Sequence, residues 1–368
     1  MPQTATVGLI VNPIAGMGGR VGLKGTDGDA YRRAVELGAR PVSPGRAVQF
    51  LRLLSFPFTV LAPPGLMGEQ EVLEAGLAQR LRVIDCAPRQ GATKADDTRR
   101  CAASMVGSVD IIVFVGGDGT ARDVVAAVDE GVVVLGVPSG VKMYSGVFAE
   151  TPALAARALE AYLRGEAGVT RAEVLDVDEE AFRRDELRVR LYGTALVPAA
   201  EGVVSAGKEA APWGEDELEA VAAHVVENME PGVLYLLGPG STVAAIARSL
   251  GLRKTLLGVD AVVDGRLVGS DLNEAQIIEL LSRYPRAKVV VSPIGGQGFI
   301  LGRGNQQLSP EVIRRVGVDN VIVVAARSKA ARLRELRVDT GDPDLDRALR
   351  GYRRVVVGYG EEMMMKVV

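Results

Sequence analysis

The stretch Ile111-Ile112-Val113-Phe114-Val115-Gly116-Gly117-Asp118-Gly119-Thr120 decides the reading of this chain. An apolar run without polar alternation marks a strand covered on both faces, as in a parallel sheet between helix layers. The run stops at three glycines around one aspartate, and helical spacing resumes over 120–128. Glycine allows a sharp turn and a close approach of backbone to ligand. The turn lies at the carboxyl end of a strand, where open α/β sheets bind ligands. The helix that follows offers unpaired amides and partial positive charge to phosphate oxygens. Asp118 in that turn has the chemistry to accept a proton from an attacking hydroxyl, or to hold Mg²⁺ through water. A plain strand-to-helix turn capped by the aspartate is the other reading. The buried strand before it and the full run through Thr120 favour a phosphate site.

The same rhythm extends outward in both directions. A strand is predicted over 7–11, ending at Asn12-Pro13, and a glycine-rich stretch follows with Gly16, Gly18, Gly19, Gly22, Gly25 and Gly28. Helices are predicted over 29–37, 44–54 and 93–106, the last with Thr93 as cap and Asp96 three residues on. Strands are predicted over 58–61, 81–84, 110–115 and 132–137. Alternating strands and helices imply a parallel sheet wound with helices. A helix over 151–163 then leads to stretches with one wet face, 173–178 and 186–192, which read as a different kind of strand. We place a domain boundary near Glu150. From Gly232 strands alternate with helices again (233–237, 255–263, 287–291, 321–325), and the tail 352–368 carries two strand-like pieces. The expected domains are 1–150 for nucleotide, 151–340 for substrate, and 341–368 as strands returning to the N-terminal domain.

Composition narrows the function classes. A length of 368 residues fits about two domains. Apolar residues are 48% and aromatic ones only 4%, so the cores must be aliphatic. A net charge of -3, from 43 basic and 46 acidic residues, gives no global pull toward nucleic acid or an anionic membrane. No nucleic-acid partner and no stable membrane association are expected, while a homo-oligomer is. No apolar run approaches the ~18 residues of a membrane span, and the N-terminus lacks a basic start followed by an apolar stretch. A cytoplasmic location is expected. Cys86 and Cys101 cannot form a disulfide framework and read as small buried apolar residues. A single histidine, His224, excludes sites that need several imidazoles.

Several further positions carry two readings each. Gly240, Ser241 and Thr242 follow a strand and open a helix. They suit a second phosphate, or a plain turn with Ser241 or Thr242 as N-cap. Pro138, Ser139 and Gly140 end a strand ahead of Lys142, a cation suited to a γ-phosphate or an ordinary exposed lysine. In the glycine-rich run 295–307, Arg303 is a candidate phosphate clamp, and Asn305 with its neighbouring glutamines a source of hydrogen bonds. A flexible surface loop is the plain alternative. Asn273-Glu274 reads as a helix start rather than a ligand site.

The run Gly116–Thr120 resembles the Gly-Gly-Asp-Gly-Thr signature shared by NAD kinases, diacylglycerol-type lipid kinases and, more distantly, phosphofructokinases. Residues 9–19, 136–142, 238–242 and 293–306 extend the resemblance to the ATP-NAD kinase family, specifically its divergent archaeal and acetoin-operon-associated branch. The resemblance implies an N-terminal Rossmann-like parallel sheet with helices on both faces. A larger C-terminal α/β substrate domain with some antiparallel strands would follow. It implies ATP (or polyphosphate) as donor, Mg²⁺, and a hydroxyl acceptor, foremost the adenosine 2′-OH of NAD. Asp118 would be the base. Gly116, Gly117 and Gly119 would lie against the phosphates with Thr120 supporting them, and Asn12, Gly16, Gly18 and Gly19 would lie at the triphosphate. Gly240-Ser241-Thr242 resembles the Gly-Ser-Thr of the substrate domain. The family carries an Asn-Glu pair before that motif; the only comparable pair here, Asn273-Glu274, comes after it, a departure from the family's order. A kinase of another small alcohol or a lipid, and a non-catalytic nucleotide-binding regulator, are the alternatives.

Overall fold

Aliphatic runs covered on both sides build the first of the two large sheets. The computed structural model describes residues 5–23, 29–89, 93–139, 143–177, 189–200, 203, 214–294 and 297–368. The chain divides into two compact units, Met1–Met17 with Gly25–Gly207, and Gly18–Lys24 with Lys208–Val368.

In the first unit, β1 (Ala5–Val11), β2 (Phe58–Ala62), β3 (Leu81–Val83), β4 (Ile111–Gly116) and β5 (Val134–Pro138) form a sheet in the order β3-β2-β1-β4-β5. Every pairing is parallel. The helices are α1 (Asp29–Glu36), α2 (Ser43–Arg52), α3 (Glu69–Glu74), α4 (Ala95–Met105), α5 (Asp118–Val125) and α6 (Pro152–Leu163). Strand β4 shows why its sequence has no polar alternation. Ile111, Val113 and Val115 pack with Phe50 and Leu51 of α2 and Leu159 of α6. Ile112 and Phe114 pack on the other face with Met105 of α4 and Ala121 and Val124 of α5. Fully burying each Ile, Val, Leu, Phe or Met side chain among these contributes about 1.5–3 kcal/mol. Because β2 and β3 lie to one side of β1 while β4 and β5 lie to the other, the strand order reverses between β1 and β4. Such a switch point opens a crevice at the carboxyl ends of the two strands.

The first unit continues past the expected boundary near Glu150. The antiparallel pair β6 (Val169–Val177) and β7 (Val189–Pro198) belongs to it. Ala172, Val174, Ala195 and Val197 lie in the same core as Phe114 and Ala121, and Leu196 bridges to Val133 beside β5. The wet outer face of these strands marks a solvent-facing layer on the first unit, not a new domain.

The second unit carries α7 (Glu215–Glu227), β8 (Leu234–Leu237), α8 (Ser241–Ser249), β9 (Asp260–Val263), β10 (Arg266–Gly269), α9 (Glu274–Arg283), β11 (Ala287–Val291), β12 (Phe299–Leu301), α10 (Pro310–Val316), β13 (Val321–Val324), α11 (Arg327–Arg332), β14 (Arg337–Val338), α12 (Pro343–Leu349), β15 (Gly351–Gly358) and β16 (Glu361–Val367). Its main sheet runs β10-β9-β8-β11-β13-β15-β16, with β12 and β14 as a separate pair. β8, β11, β13 and β15 are parallel; β9, β10 and β16 are antiparallel to their neighbours. The tail therefore extends the second sheet, through pairs such as Val323↔Val355, instead of returning to the first.

Cys86 and Cys101 differ from their reading as separate apolar residues. They are buried, as expected, but joined in a disulfide with Cα atoms 5.0 Å apart. The turn after β3 folds back on α4, where Arg100 Nε donates to Cys86 O at 2.7 Å. The start of α4 also differs. The reaching carboxylate is Asp97, which accepts the Lys94 N–H at 2.8 Å, in place of Asp96 with Thr93. His224 has a partner, its Nδ1 accepting the Gly360 N–H at 3.2 Å. Among the described residues, no helix is long and apolar enough to cross a membrane.

Candidate active site

Three loops meet at the carboxyl edge of the first sheet, one each after β1, β4 and β5. Helix α5 begins at Asp118, two residues earlier than the spacing predicts, because Gly117 takes the extended N-cap conformation. Gly116 is obligatory there: a Cβ on it would lie 2.3 Å from Thr120 Oγ1. A Cβ on Gly119 would meet only the tip of Arg122, at 4.0 Å, so the turn is unobstructed at that backbone position.

Asn12 ties the first loop to this turn. Its N–H donates to Val115 O at 3.0 Å and its Nδ2 donates to Thr120 Oγ1 at 2.9 Å, while its Oδ1 accepts the Ile14 N–H at 3.3 Å. Gly16 is the next fixed point. Its φ is +78°, and a Cβ there would fall 1.9 Å from Ser139 O. No other residue permits this contact between the loops after β1 and β5. Pro138 pairs with Gly116 across the sheet, and the Ser139 N–H donates to Gly116 O at 3.1 Å. Ser43 completes the brace. Its hydroxyl donates to Ala15 O at 3.0 Å and lies 2.7 Å from Ser139 Oγ.

Asp118 lies inside this brace with 6% of its surface exposed. Its Oδ2 accepts the Tyr144 N–H at 2.7 Å and its Oδ1 the Ser145 N–H at 2.9 Å. The donor loop is itself anchored. Ser145 Oγ donates to Leu175 O at 2.8 Å and lies 2.9 Å from Leu175 N, on β6. The carboxylate is thus held in one orientation. Burial, with a smaller push from the Asp118 charge, raises the Tyr144 phenol well above its ordinary value, so it stays protonated at neutral pH. Behind α5, buried Asp123 accepts from Arg99 Nη2 at 2.7 Å, fixing the helix that carries Asp118 to α4.

Asn12, Gly16, Gly116, Gly117, Asp118, Gly119, Thr120, Pro138 and Ser139 are therefore gathered at one sheet edge. Gly140 and Lys142 lie outside the described residues. Gly18 and Gly19 belong to the stretch that clusters with the second unit. The remaining candidates also lie there. Gly240, at φ +113°, is itself the N-cap of α8, so neither Ser241 nor Thr242 caps it. Asn273 caps α9: its Oδ1 accepts the Gln276 N–H and Gln276 Oε1 accepts the Asn273 N–H, both at 3.0 Å. The Glu274 N–H donates to Arg20 O at 3.0 Å. Arg303 is buried, its guanidinium 4.4 Å over the Phe299 ring and its Nε 3.5 Å from Asp339 Oδ2. Asn305 closes a turn, its Nδ2 donating to Ile300 O at 2.9 Å and its Oδ1 accepting the Gly302 N–H at 3.0 Å. Residues 297–307 are packed, not a loose surface loop, and 295–296 lie outside the described residues.

Ser43, Tyr144 and Ser145 went unnoticed in the sequence. Ser43 precedes Pro44, a helix-start signal, and nothing local tells that its hydroxyl serves a neighbouring loop. Tyr144 and Ser145 act on Asp118 through main-chain N–H groups, which leave no trace in residue type.

Among the described residues, no group of three or more His, Cys, Asp or Glu is arranged to hold a metal. A single carboxylate suits an ion that arrives with a polyphosphate and keeps its waters, as Mg²⁺ commonly does, and not an all-protein cage.

Comparison with known proteins agrees with this geometry. The family model for the ATP-NAD kinase N-terminal domain matches residues 7–167, and that for the ATP-NAD kinase C-terminal domain matches residues 230–367. No curated protein matches the chain.

Proposed function

The chain belongs to the ATP-NAD kinase family and is an ATP-dependent phosphotransferase acting on a hydroxyl group, and from that premise we propose that its acceptor is the adenosine 2′-hydroxyl of NAD, giving NADP. ATP enters with Mg²⁺ as part of the substrate, and the ion neutralises phosphate charge. The triphosphate lies along the edge formed by Asn12, Gly16 and Gly116–Thr120, where the first-turn amides of α5 meet its oxygens. Asp118 orients the acceptor hydroxyl for in-line attack on the γ-phosphorus and takes its proton, while the β–γ phosphoanhydride bond breaks and ADP leaves. Phosphoryl transfer depends chiefly on such positioning and charge stabilisation. The observation that carries the reading is a buried carboxylate, fixed by two amides, at the switch point of a parallel sheet.

A second reading, with another small alcohol as acceptor, has its own support. Asn273 and Arg303 are engaged within the fold, one as a helix cap and the other against Phe299 and Asp339. One experiment separates the two readings. Purified protein is given radiolabelled ATP, Mg²⁺ and a panel of NAD, NADH, sugars and glycerolipids. Label appearing in NADP supports the first reading. Label confined to another acceptor overturns it.

A further inference from the structure

Arg122 lies one turn along α5 from Asp118. Helical side chains lean toward the N-terminus, so its guanidinium reaches back over the residue three positions earlier. That residue is Gly119, and Arg122 Nη2 lies 4.0 Å from where a Cβ on it would stand. The cation is therefore beside the first turn of α5, and with glycine there no side chain separates it from the Gly119 main chain. The ion pair between Arg122 and its neighbour Asp123 is long. Arg122 Nε and Nη2 are 3.4 and 3.5 Å from Asp123 Oδ1, whereas Arg99 holds that same oxygen at 2.7 Å.

Tyr192 of β7 supports the guanidinium, whose central carbon lies 5.6 Å from the centre of the tyrosine ring. A β-bulge gives Tyr192 this place. Val174 pairs with Gly193 and Leu175 with Leu191, so Tyr192 is the extra residue of the bulged strand. Bulges re-aim a side chain and are over-represented beside active sites. The bulge is also next to the Asp118 brace, because Leu175 is the residue that anchors Ser145. Tyr192 is 51% exposed. A ring left half in water contributes little to the core, but its face can hold a cation.

We propose that Arg122 is a phosphate ligand of the donor site, its guanidinium meeting oxygens of the triphosphate beside the Gly119 amide, and that Tyr192 is the positioning residue that holds it there. The proposal deepens the reading of the first turn of α5 as the ATP site and rests on it; it does not depend on the acceptor. A guanidinium presents a planar fork of donors that matches phosphate oxygens two at a time, and the partial positive charge of the helix start acts on the same oxygens.

The test uses the full-length protein, with Arg122→Met, Tyr192→Ala and Tyr192→Phe, and titrates each with ATP and Mg²⁺ by calorimetry. Without ligand, Arg122→Met should melt within about 2 °C of the parent, because Asp123 keeps its closer partner Arg99. Its dissociation constant for ATP should rise about 10- to 100-fold, the loss of one charged contact. That gap should narrow between ~0.05 M and ~1 M salt, since screening weakens an ionic contact and leaves a structural defect unchanged. Tyr192→Ala should weaken ATP about threefold, and Tyr192→Phe, which keeps the ring face, should bind ATP as the parent does. Unchanged ATP affinity in Arg122→Met, or a gap that salt does not narrow, overturns the role of Arg122. Equal losses in Tyr192→Ala and Tyr192→Phe overturn that of Tyr192. A parent protein that binds no ATP removes the donor site itself, and this proposal with it. ATP binding that depends on Arg122, in a protein that never phosphorylates NAD, supports the proposal and removes the acceptor assignment alone.

Discussion

Replacing Asp118 with asparagine changes two things at once, and the geometry separates them. The carboxylate accepts one amide on each oxygen, from Tyr144 at 2.7 Å and Ser145 at 2.9 Å. Asparagine keeps one acceptor oxygen and turns an NH₂ group toward the other N–H. One charge-assisted hydrogen bond is lost outright, about 1.5–3 kcal/mol, and the survivor loses its charge. The expected destabilisation is about 2–4 kcal/mol, a fall of roughly 5–15 °C in melting temperature for a unit of this size. Loss of a proton acceptor in the transition state should lower kcat by about 10²–10⁴-fold. ATP binding, measured by calorimetry below the new melting temperature, should change little, since the phosphate cradle is made of main-chain amides that the substitution leaves in place. Ser145→Ala is the control. It removes the hydroxyl that anchors the same loop to Leu175 and leaves the carboxylate intact. If loop slippage alone lowered turnover, both variants would lose it equally. A melting temperature unchanged within about 1 °C in Asp118→Asn would refute the two amide bonds, and turnover retained there would refute the role in proton transfer.

Three further outcomes are expected. Gly16→Ala adds a Cβ 1.9 Å from Ser139 O at a φ of +78°, with about 1–2 kcal/mol of backbone strain before the clash. The two loops must part, so the dissociation constant for ATP should rise at least about tenfold, and unchanged binding would show that the cradle does not depend on this contact. Glu71 is 2% exposed, and burial raises its carboxyl from 4.5 to about 7. A raised acid favours folding fully below its unfolded pKa of 4.5, and that contribution is lost as pH climbs through about 7. Glu71→Gln should therefore be about 2–3 kcal/mol more stable than the parent at pH 8 and no more stable at pH 4, as read from denaturant midpoints at each pH. A difference that does not vary with pH would contradict this. The Cys86–Cys101 bond spans 15 residues, so its reduction should remove about 3 kcal/mol from the first unit in guanidinium unfolding. Two reactive thiols in unreduced, denatured protein would contradict the pairing.

The fold was readable wherever a residue's role is settled by its sequence neighbours. Strand β4 and its turn are the clearest case: burial on both faces demands an unbroken apolar run, and a strand feeding a helix start demands Gly116 for the inward Thr120. Asn273 reads as a helix start for the same reason, since its capping partner Gln276 is three residues away. The reading failed where the deciding partner is remote. Arg303 has the composition of a phosphate clamp, yet Asp339, 36 residues on, and the Phe299 ring hold it in the core. Cys86 and Cys101 carry no spacing signal, because their approach depends on how the turn after β3 lies against α4. Alternation in β6 and β7 reports one wet face but not which sheet the dry face covers, hence the misplaced boundary at Glu150.

The candidate site divides along the same line. Asp118, Asn12 and the glycines are visible because turns and close approaches constrain residue type. What makes Asp118 a fixed acceptor is the pair of main-chain N–H groups of Tyr144 and Ser145, and any residue but proline supplies an N–H. The position of those amides depends on Ser145 anchoring to β6, an element whose membership in the first unit the sequence does not disclose. Substitutions along β6 that loosen the Leu175 contact should therefore reach Asp118 without touching a signature residue. Specificity in such a site is expected to drift through the bracing layer while the Gly-Gly-Asp-Gly-Thr turn itself stays unchanged.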